Sequence, residues 1–360
     1  MVSAYSTKKG VALEPGIAAD MSTTRPVVAD TTTALDDRFG RRISYLRVSL
    51  TEHCNLRCQY CSPAAGTPWF ARKDHLMPGE LDELLTIFYE LGIGHMRFTG
   101  GEPLLYPWLV ERVAHARDLG VAKLSLSTNG YLLDRLAGPL AAAGLKRINM
   151  SLDSLDAERF ARITRGGDLA RVLRGLFLAR DVIPHIKLNV VLLRNENLTE
   201  IPALVDFALR EGLDVQFIET MPLGAAGTTS RGENYVSIAE AQERIGQTHT
   251  LIPATRAADE GPAQHFRIAG TTRKVGFISP ISQNFCASCN RLRLTSTGRL
   301  VYCLGQNDGV DLMGPLRDGI AKTDLADLIR AKVWHEKPER HTFNDAPQRA
   351  APVYMMRLGG

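Results

Sequence analysis

Tyr45-Leu46-Arg47-Val48-Ser49-Leu50-Thr51-Glu52-His53-Cys54-Asn55-Leu56-Arg57-Cys58-Gln59-Tyr60-Cys61 is the stretch on which the fold of this chain turns. Its opening predicts a strand, Tyr45–Leu50, that runs straight into three cysteines spaced C-x3-C-x2-C. Parallel α/β folds place their ligands in the loops at the carboxyl ends of strands, so the thiols fall where a site is expected. The same pattern recurs outward from here. Strands are predicted at Met96–Thr99, Leu124–Thr128, Arg147–Leu152, Lys187–Leu192 and Asp214–Glu219. Between them, helical periodicity marks Glu80–Leu91, Trp108–Leu119, Leu132–Ala143, Leu169–Arg180 and Thr199–Arg210. Gly92, Gly120, Gly144 and Gly212 stand where left-handed caps would close four of these helices. Such alternation implies parallel strands joined by right-handed crossovers, in an open doubly wound sheet or a partly closed barrel.

Near residue 224 the pattern breaks. Gly224–Gly232 reads as a Gly/Ala/Thr loop, Ser237–Ile245 as one short helix, and the chain is polar to about residue 265. A strand is expected at Arg273–Ser279, and a hairpin at Leu292–Leu304 with Ser296-Thr297-Gly298 as its turn. A helix at Asp324–Trp334 and a Pro-containing tail to Gly360 follow.

The 360 residues, 44% apolar and 23% charged, are those of an ordinary globular protein long enough for one large domain or two smaller ones. There is no uninterrupted apolar run of about 18 residues, hence no expected membrane span. No basic-plus-apolar secretory signal opens the chain, and Glu14, Asp20 and Asp30 argue against a transit peptide. Residues 1–36 are expected to form a disordered leader. A net charge of +4 is too mild to imply nucleic-acid binding.

The six cysteines fall into two groups, Cys54/Cys58/Cys61 and Cys286/Cys289/Cys303, with none left over. Clustered thiols in a chain without an export signal suggest metal rather than disulfides. Three thiolates fill three corners of a [4Fe–4S] cube and leave one iron open. Zinc is the competing reading, and a stronger one for the second group, where C-x2-C is a usual zinc knuckle. Its second pair is missing, since Cys303 stands alone and His265 lies well upstream. Arg291 and Arg293 alternate on one strand and so share a face, with Arg299 nearby. Guanidiniums beside an open metal position suit an anion; without the metal they would read as a solvated face.

The C-x3-C-x2-C triad with Tyr60 before its last cysteine, and Gly100-Gly101-Glu102-Pro103 after the second strand, resemble the radical S-adenosylmethionine superfamily. Two glycines also let backbone approach a ligand closely on their own account. Strand ends rich in hydroxyls and amides, namely Ser127-Thr128-Asn129, Ser151-Asp153 and Asn189, suit a cofactor with ribose, amine and carboxylate. From about residue 37 onward the chain resembles one family within it, the GTP 3′,8-cyclases of molybdenum cofactor biosynthesis. Gly40-Arg41, Leu46–Ser49, Arg97-Phe98-Thr99, Ile148–Asp153, Lys187–Val191, Phe217-Ile218-Glu219 with Met221, the second triad and the terminal Gly359-Gly360 carry that likeness.

The resemblance implies an incomplete (β/α)6 TIM-like barrel over residues 37–224, closed on its open side by a second-cluster region over 225–340. A tail over 341–360 would bring Gly359 and Gly360 into the active site. It implies two [4Fe–4S] clusters, on Cys54/Cys58/Cys61 and on Cys286/Cys289/Cys303, and S-adenosylmethionine held by Tyr60, Gly101, Glu102, Ser127, Asn129, Ser151 and Met221. GTP would meet Arg47, Arg97, Thr128, Lys187, Arg291 and Arg293. A 5′-deoxyadenosyl radical would take hydrogen from C3′ of GTP, giving 3′,8-cyclo-7,8-dihydro-GTP. The expected partners are a flavodoxin-like or similar electron donor and a downstream cyclic pyranopterin monophosphate synthase. A homodimer is compatible with this reading, and a cytoplasmic location is expected without nucleic acid or membrane. His95 and Gln216 stand where relatives carry Lys and Arg, which opens the alternative of a paralogue acting on another nucleotide. An iron–sulfur electron carrier and a zinc-binding module are the alternatives from other classes.

Overall fold

A computed structural model of the chain describes residues 34–63, 70–255, 261–343 and 354–359. The expected leader up to residue 33, most of the segment between Phe343 and the tail, and Gly360 lie outside the described residues. Six parallel strands form the centre: β1 (Tyr45–Ser49), β2 (His95–Thr99), β3 (Lys123–Thr128), β4 (Arg147–Ser151), β5 (His185–Val191) and β6 (Asp214–Ile218). The helices between them are α1 (Pro78–Glu90), α2 (Leu109–Asp118), α3 (Leu133–Ala142), α4 (Ala157–Thr164), α5 (Leu169–Val182) and α6 (Ile201–Arg210). Four close on the glycines expected of them. Gly92, Gly120, Gly144 and Gly212 all take positive φ, which costs a residue without Cβ little. Asp156 and Asp168 begin α4 and α5 by accepting from the Arg159 and Arg171 amides.

Alternation along the strands decides what faces what. Leu46, Val48, Met96, Phe98, Leu126, Met150, Leu188 and Phe217 are buried among the helices, where each contributes roughly 1.5–3 kcal/mol. Their neighbours point inward, and these are polar: Arg47, Arg97, Asn149, Lys187, Asn189 and Gln216. The sheet is therefore a scaffold with an oily outside and a charged inside.

Beyond β6 lie α7 (Gly224–Asn234), α8 (Ile238–Gly246), β7 (Leu251–Pro253), β8 (Gln264–Ile268), β9 (Lys274–Ile278), β10 (Arg291–Leu294), β11 (Arg299–Val301) and β12 (Gly309–Asp311). Next come α9 (Lys322–Glu336) and one terminal turn, α10 (Met355–Leu358). The whole sheet runs β12-β11-β10-β1-β2-β3-β4-β5-β6-β9-β8-β7. Both free edges of the six-stranded centre are thus extended by the second half, with β10 parallel to β1 and β9 parallel to β6. Among the described residues no pairing joins β7 to β12, and the barrel is incomplete. The hairpin β10–β11 turns at Gly298, φ +71°, as its sequence predicts.

One expectation is corrected: Gly224–Gly232 is helix rather than loop. Its residues have weak propensity, and packing overrides it. A Cβ on Gly227 would sit 2.5 Å from the Met221 carbonyl, so only glycine lets α7 lie this close to the site. Arg231 donates to the Thr220 carbonyl, and the Asn234 side chain accepts from the Asn195 amide, pinning the last turn. The eight-residue α4 and the short strands β7, β8 and β12 also lie where no regular structure is expected from the sequence.

Candidate functional site

Both thiol groups line one cavity inside the sheet, together with every inward residue named above. Cys54, Cys58 and Cys61 follow β1. Burial, with Glu102 near Cys54, pushes that thiol up to about 11; burial and Cys54 push Cys61 up to about 12. Cys58 is raised as well, by burial and then Asp153. The Tyr60 hydroxyl donates to Asp153 at 2.7 Å, and the Asp153 carboxylate accepts from the Val191 amide, tying the triad loop to β4 and β5. Burial lifts Asp153 to about 6.

Gly100 and Gly101 let the loop after β2 cross the triad segment. A Cβ on Gly101 would lie 2.3 Å from the His53 carbonyl oxygen and 2.5 Å from that of Glu52. Glu102 is buried, and burial raises its carboxyl to about 7. It accepts from the Thr128 hydroxyl (2.6 Å), the Asn129 amide (2.8 Å) and the Leu104 amide (3.0 Å), which fixes the end of β3. The Asn129 side chain reaches Asn55 at 2.8 Å and lies 3.9 Å from the Cys54 sulfur. Ser127, Ser151 and Met221 line the same part of the cavity.

Across the cavity the charge changes sign. The register aligns Arg293, Arg47 and Arg97 in one row over β10, β1 and β2, with Arg291, Tyr45 and His95 in the row beside it. Burial and the neighbouring guanidiniums hold Arg47 well below its ordinary value and bring Arg293 down to about 10. The His95 ring stacks on Tyr45 at 3.8 Å and meets Ser125 at 3.1 Å. Burial and Arg97 push it down to about 3, so it is a neutral imidazole at physiological pH. Arg97 donates to Ser125, and Lys187 to Gln216 at 3.4 Å.

The second triad sits beside this cationic wall. Although burial opposes it, Arg291 and Lys337 bring Cys289 down to about 6, and His341 lowers Cys286 in the same way; burial raises Cys303. The Arg41 guanidinium, paired with Asp37 at 2.6 Å, donates to the carbonyls of Cys286, Glu339 and Pro338.

Met355 and Met356 line the cavity, and Gly359 lies against its arginines. Gly359 takes φ +71°, and a Cβ there would meet Thr99 at 2.4 Å. Its carbonyl accepts from Arg47 and Arg293, each at 3.1 Å, and Arg293 also donates to the Leu358 carbonyl at 2.9 Å. Gly360 lies outside the described residues. A seat for the tail was not visible in the sequence: buried Glu52, two residues before Cys54, accepts from Arg357 at 3.1 Å and from the Phe70 amide. The Arg357 guanidinium lies 4.3 Å over the Phe70 ring. Glu52, Asp37, Lys337 and His341 are single charged or polar residues with no motif of their own. Only the fold shows that they are buried around the site.

The donor sets suit iron–sulfur clusters: each triad brings three free thiols to the cavity wall, the number that fills three corners of a cube. Among the described residues no three His, Cys, Asp or Glu side chains stand close enough together to hold one metal ion. Zinc needs its donors within about 2.3 Å of one centre.

Residues 48–208 match the model of the radical SAM superfamily, and residues 213–343 that of Molybdenum Cofactor Synthesis C. The chain is 43% identical over 336 residues to the GTP 3′,8-cyclase of Hydrogenovibrio crunogenus, covering 91% of this chain and all of the relative. It is 44% identical over 330 residues to that of Pseudomonas putida, covering 91% and 98%. Among solved structures it resembles Streptococcus suis SuiB bound to S-adenosylmethionine, with TM-score 0.55 and 15% identity over 87% of this chain and 76% of that one. That likeness concerns the fold alone.

Proposed function

We propose how the cavity works from a plain premise: the chain belongs to the GTP 3′,8-cyclase family. It is a lyase-type enzyme of molybdenum cofactor biosynthesis within the radical S-adenosylmethionine superfamily, and its substrate is GTP. When bound, iron–sulfur clusters and S-adenosylmethionine would supply the electron and the radical chemistry that turns GTP into 3′,8-cyclo-7,8-dihydro-GTP.

The residues divide this work. Cys54, Cys58 and Cys61 would hold the first cluster, and Cys286, Cys289 and Cys303 the second, each set leaving one iron open. Gly101, with no side chain, lets the loop after β2 pack on the Glu52 and His53 carbonyls, shaping the wall beside the first triad where the methionyl end of S-adenosylmethionine would lie. Glu102, accepting from Thr128, stiffens that wall, while Tyr60, Ser127, Asn129, Ser151 and Met221 would surround the rest of the cofactor. Arg97, Lys187 and Arg291 would receive the triphosphate, with Arg47 and Arg293 shared between nucleotide and tail. Charges in a cavity with little water act more strongly than the same charges on a surface. Gly359, seated between Arg47 and Arg293, closes the cavity and keeps the reactants together and dry. The carrying observation is that both thiol triads open onto one cavity with a row of arginines along its wall.

A small redox protein of flavodoxin type as electron source, hand-off to cyclic pyranopterin monophosphate synthase, a homodimeric state and a cytoplasmic location complete the proposal. Among the described residues no helix is long and apolar enough to cross a membrane. The neutral His95 and Gln216 favour one second reading, a paralogue that cyclises a nucleotide bearing less negative charge. Anaerobic turnover of the reconstituted protein with S-adenosylmethionine, dithionite and GTP, followed by mass spectrometry, separates the two. GTP-dependent 5′-deoxyadenosine with an isomeric, cyclised nucleotide is expected. Cleavage that ignores GTP but responds to another nucleotide would favour the paralogue, and absence of cleavage and of iron would sink both.

A further inference from the structure

Lys337 is 2% exposed, directly after α9, and no motif points to it. Its ammonium donates to the carbonyls of Arg291 (3.0 Å) and Tyr302 (2.9 Å). Arg291 comes two residues after Cys289, and Tyr302 immediately before Cys303. One side chain therefore spans both arms that carry these thiols. The Tyr302 hydroxyl donates to Glu336 at 3.0 Å, so the end of α9 is fixed on the same arm.

A buried ammonium without a counter-charge is costly, and buried lysines are almost always paired. Among the described residues no carboxylate lies within ion-pair distance of Lys337. The nearby Arg41 is already neutralised by Asp37. The groups around Lys337 that can carry negative charge are the thiols of Cys289 and Cys303, with the cations Arg41 and Arg291 against them. A thiolate-ligated iron–sulfur cube is net negative and would supply the missing charge.

We propose that Lys337 is a positioning residue for the second cluster: it sets the spacing of the Cys289 and Cys303 arms and is the buried counter-ion of the cluster they hold. This rests on the second triad being a cluster site. Changing Cys54, Cys58 and Cys61 to Ala in the full-length chain confines iron to that triad. If this parent takes up no iron, the cluster assignment fails rather than the role of Lys337. In this background Lys337→Met, Lys337→Gln and Lys337→Arg are reconstituted anaerobically and desalted. Iron, sulfide and the low-temperature EPR spectrum of the reduced cluster are recorded, with circular dichroism as the check on folding. The Arg variant is expected to keep about four irons per chain and the parent spectrum, and the Met variant to fall at least about tenfold in iron. Full iron with an unshifted spectrum in the Met variant overturns the proposal, as does equal loss in the Met and Arg variants. Should the Met variant not fold, the Gln variant decides, since it keeps a donor but no charge. Cluster lost from a folded chain supports the proposal, and cluster kept overturns it.

Discussion

The first triad lies among carboxylates and neutral amides, with Glu102 and Asp153 both buried beside it; the second lies among Arg291, Lys337, His341 and Arg41. Ligand number is the same, three thiols each, and the surroundings have opposite sign. Cys54 and Cys61 are pushed up to about 11 and 12, whereas Cys289 is drawn down to about 6. The contrast fits what each is to meet. On the proposed reading S-adenosylmethionine would bring a sulfonium and an ammonium to the first, and GTP a polyanion towards the second. Identical ligand sets can therefore be given different tasks by their neighbours alone.

The most severe way to break the comparison is to remove one triad at a time. Replacing Cys54, Cys58 and Cys61 by Ala is expected to cut S-adenosylmethionine cleavage at least about a thousandfold, the scale on which an essential group acts. Replacing Cys286, Cys289 and Cys303 should leave slow, GTP-independent 5′-deoxyadenosine formation and no cyclised nucleotide. Chromatography and mass spectrometry read both products, and cyclised nucleotide from the second variant would erase the distinction. A smaller effect tests the tail that lies against both sides. Glu52→Gln weakens the seat of Arg357 and is expected to slow cyclisation about tenfold, less than a fully buried pair would imply because the Arg357 side chain is 26% exposed. Iron content should stay unchanged, and removal of Gly359-Gly360 should abolish cyclisation with both clusters intact. Unaltered turnover in the truncated chain would show that the tail has no part in the reaction.

The smallest effect concerns His95 on the cationic wall. Its proton affinity is ordinary in the unfolded chain, near 6.5, and depressed to about 3 in the fold. Below pH 6.5 the unfolded state gains a proton that the native state refuses, so stability falls with acidity down to about pH 3. Between pH 8 and pH 5 this amounts to about 2 kcal/mol. His95→Gln keeps a partner for Ser125 and removes the titration. Denaturant melts of the metal-free chain at the two pH values should therefore differ by about 2 kcal/mol less than in the parent. Equal acid sensitivity would place the loss on other groups.

The central βα alternation was legible because signals agreed along it: apolar strands, helical periods between them and, for four of the helices, a glycine at the cap. Gly224–Asn234 was not, since glycine and threonine argue against helix until one sees that α7 must pass within contact of the Met221 carbonyl. The thiols, the Gly-Gly-Glu-Pro loop and the arginines of β10 announced themselves by spacing. Glu52 and Lys337 did not, because a lone acid or lysine in sequence resembles any solvated one. Their burial arises from chain segments far apart in number, Arg357 with Glu52 and Tyr302 with Lys337.

The order of strands has a consequence for how the molecule is made. Until residue 294 has been synthesised, β1 has one open edge, and β6 has one until residue 278. A nascent chain therefore carries two unpaired strand edges through much of its synthesis, the kind of surface on which sheets of different chains join. Pairings as distant as Tyr45 with Arg291 must wait for the last third of the chain, and distant pairings form slowly. Yield of soluble protein should accordingly depend on translation speed and chaperone supply more than on the stability of the finished fold.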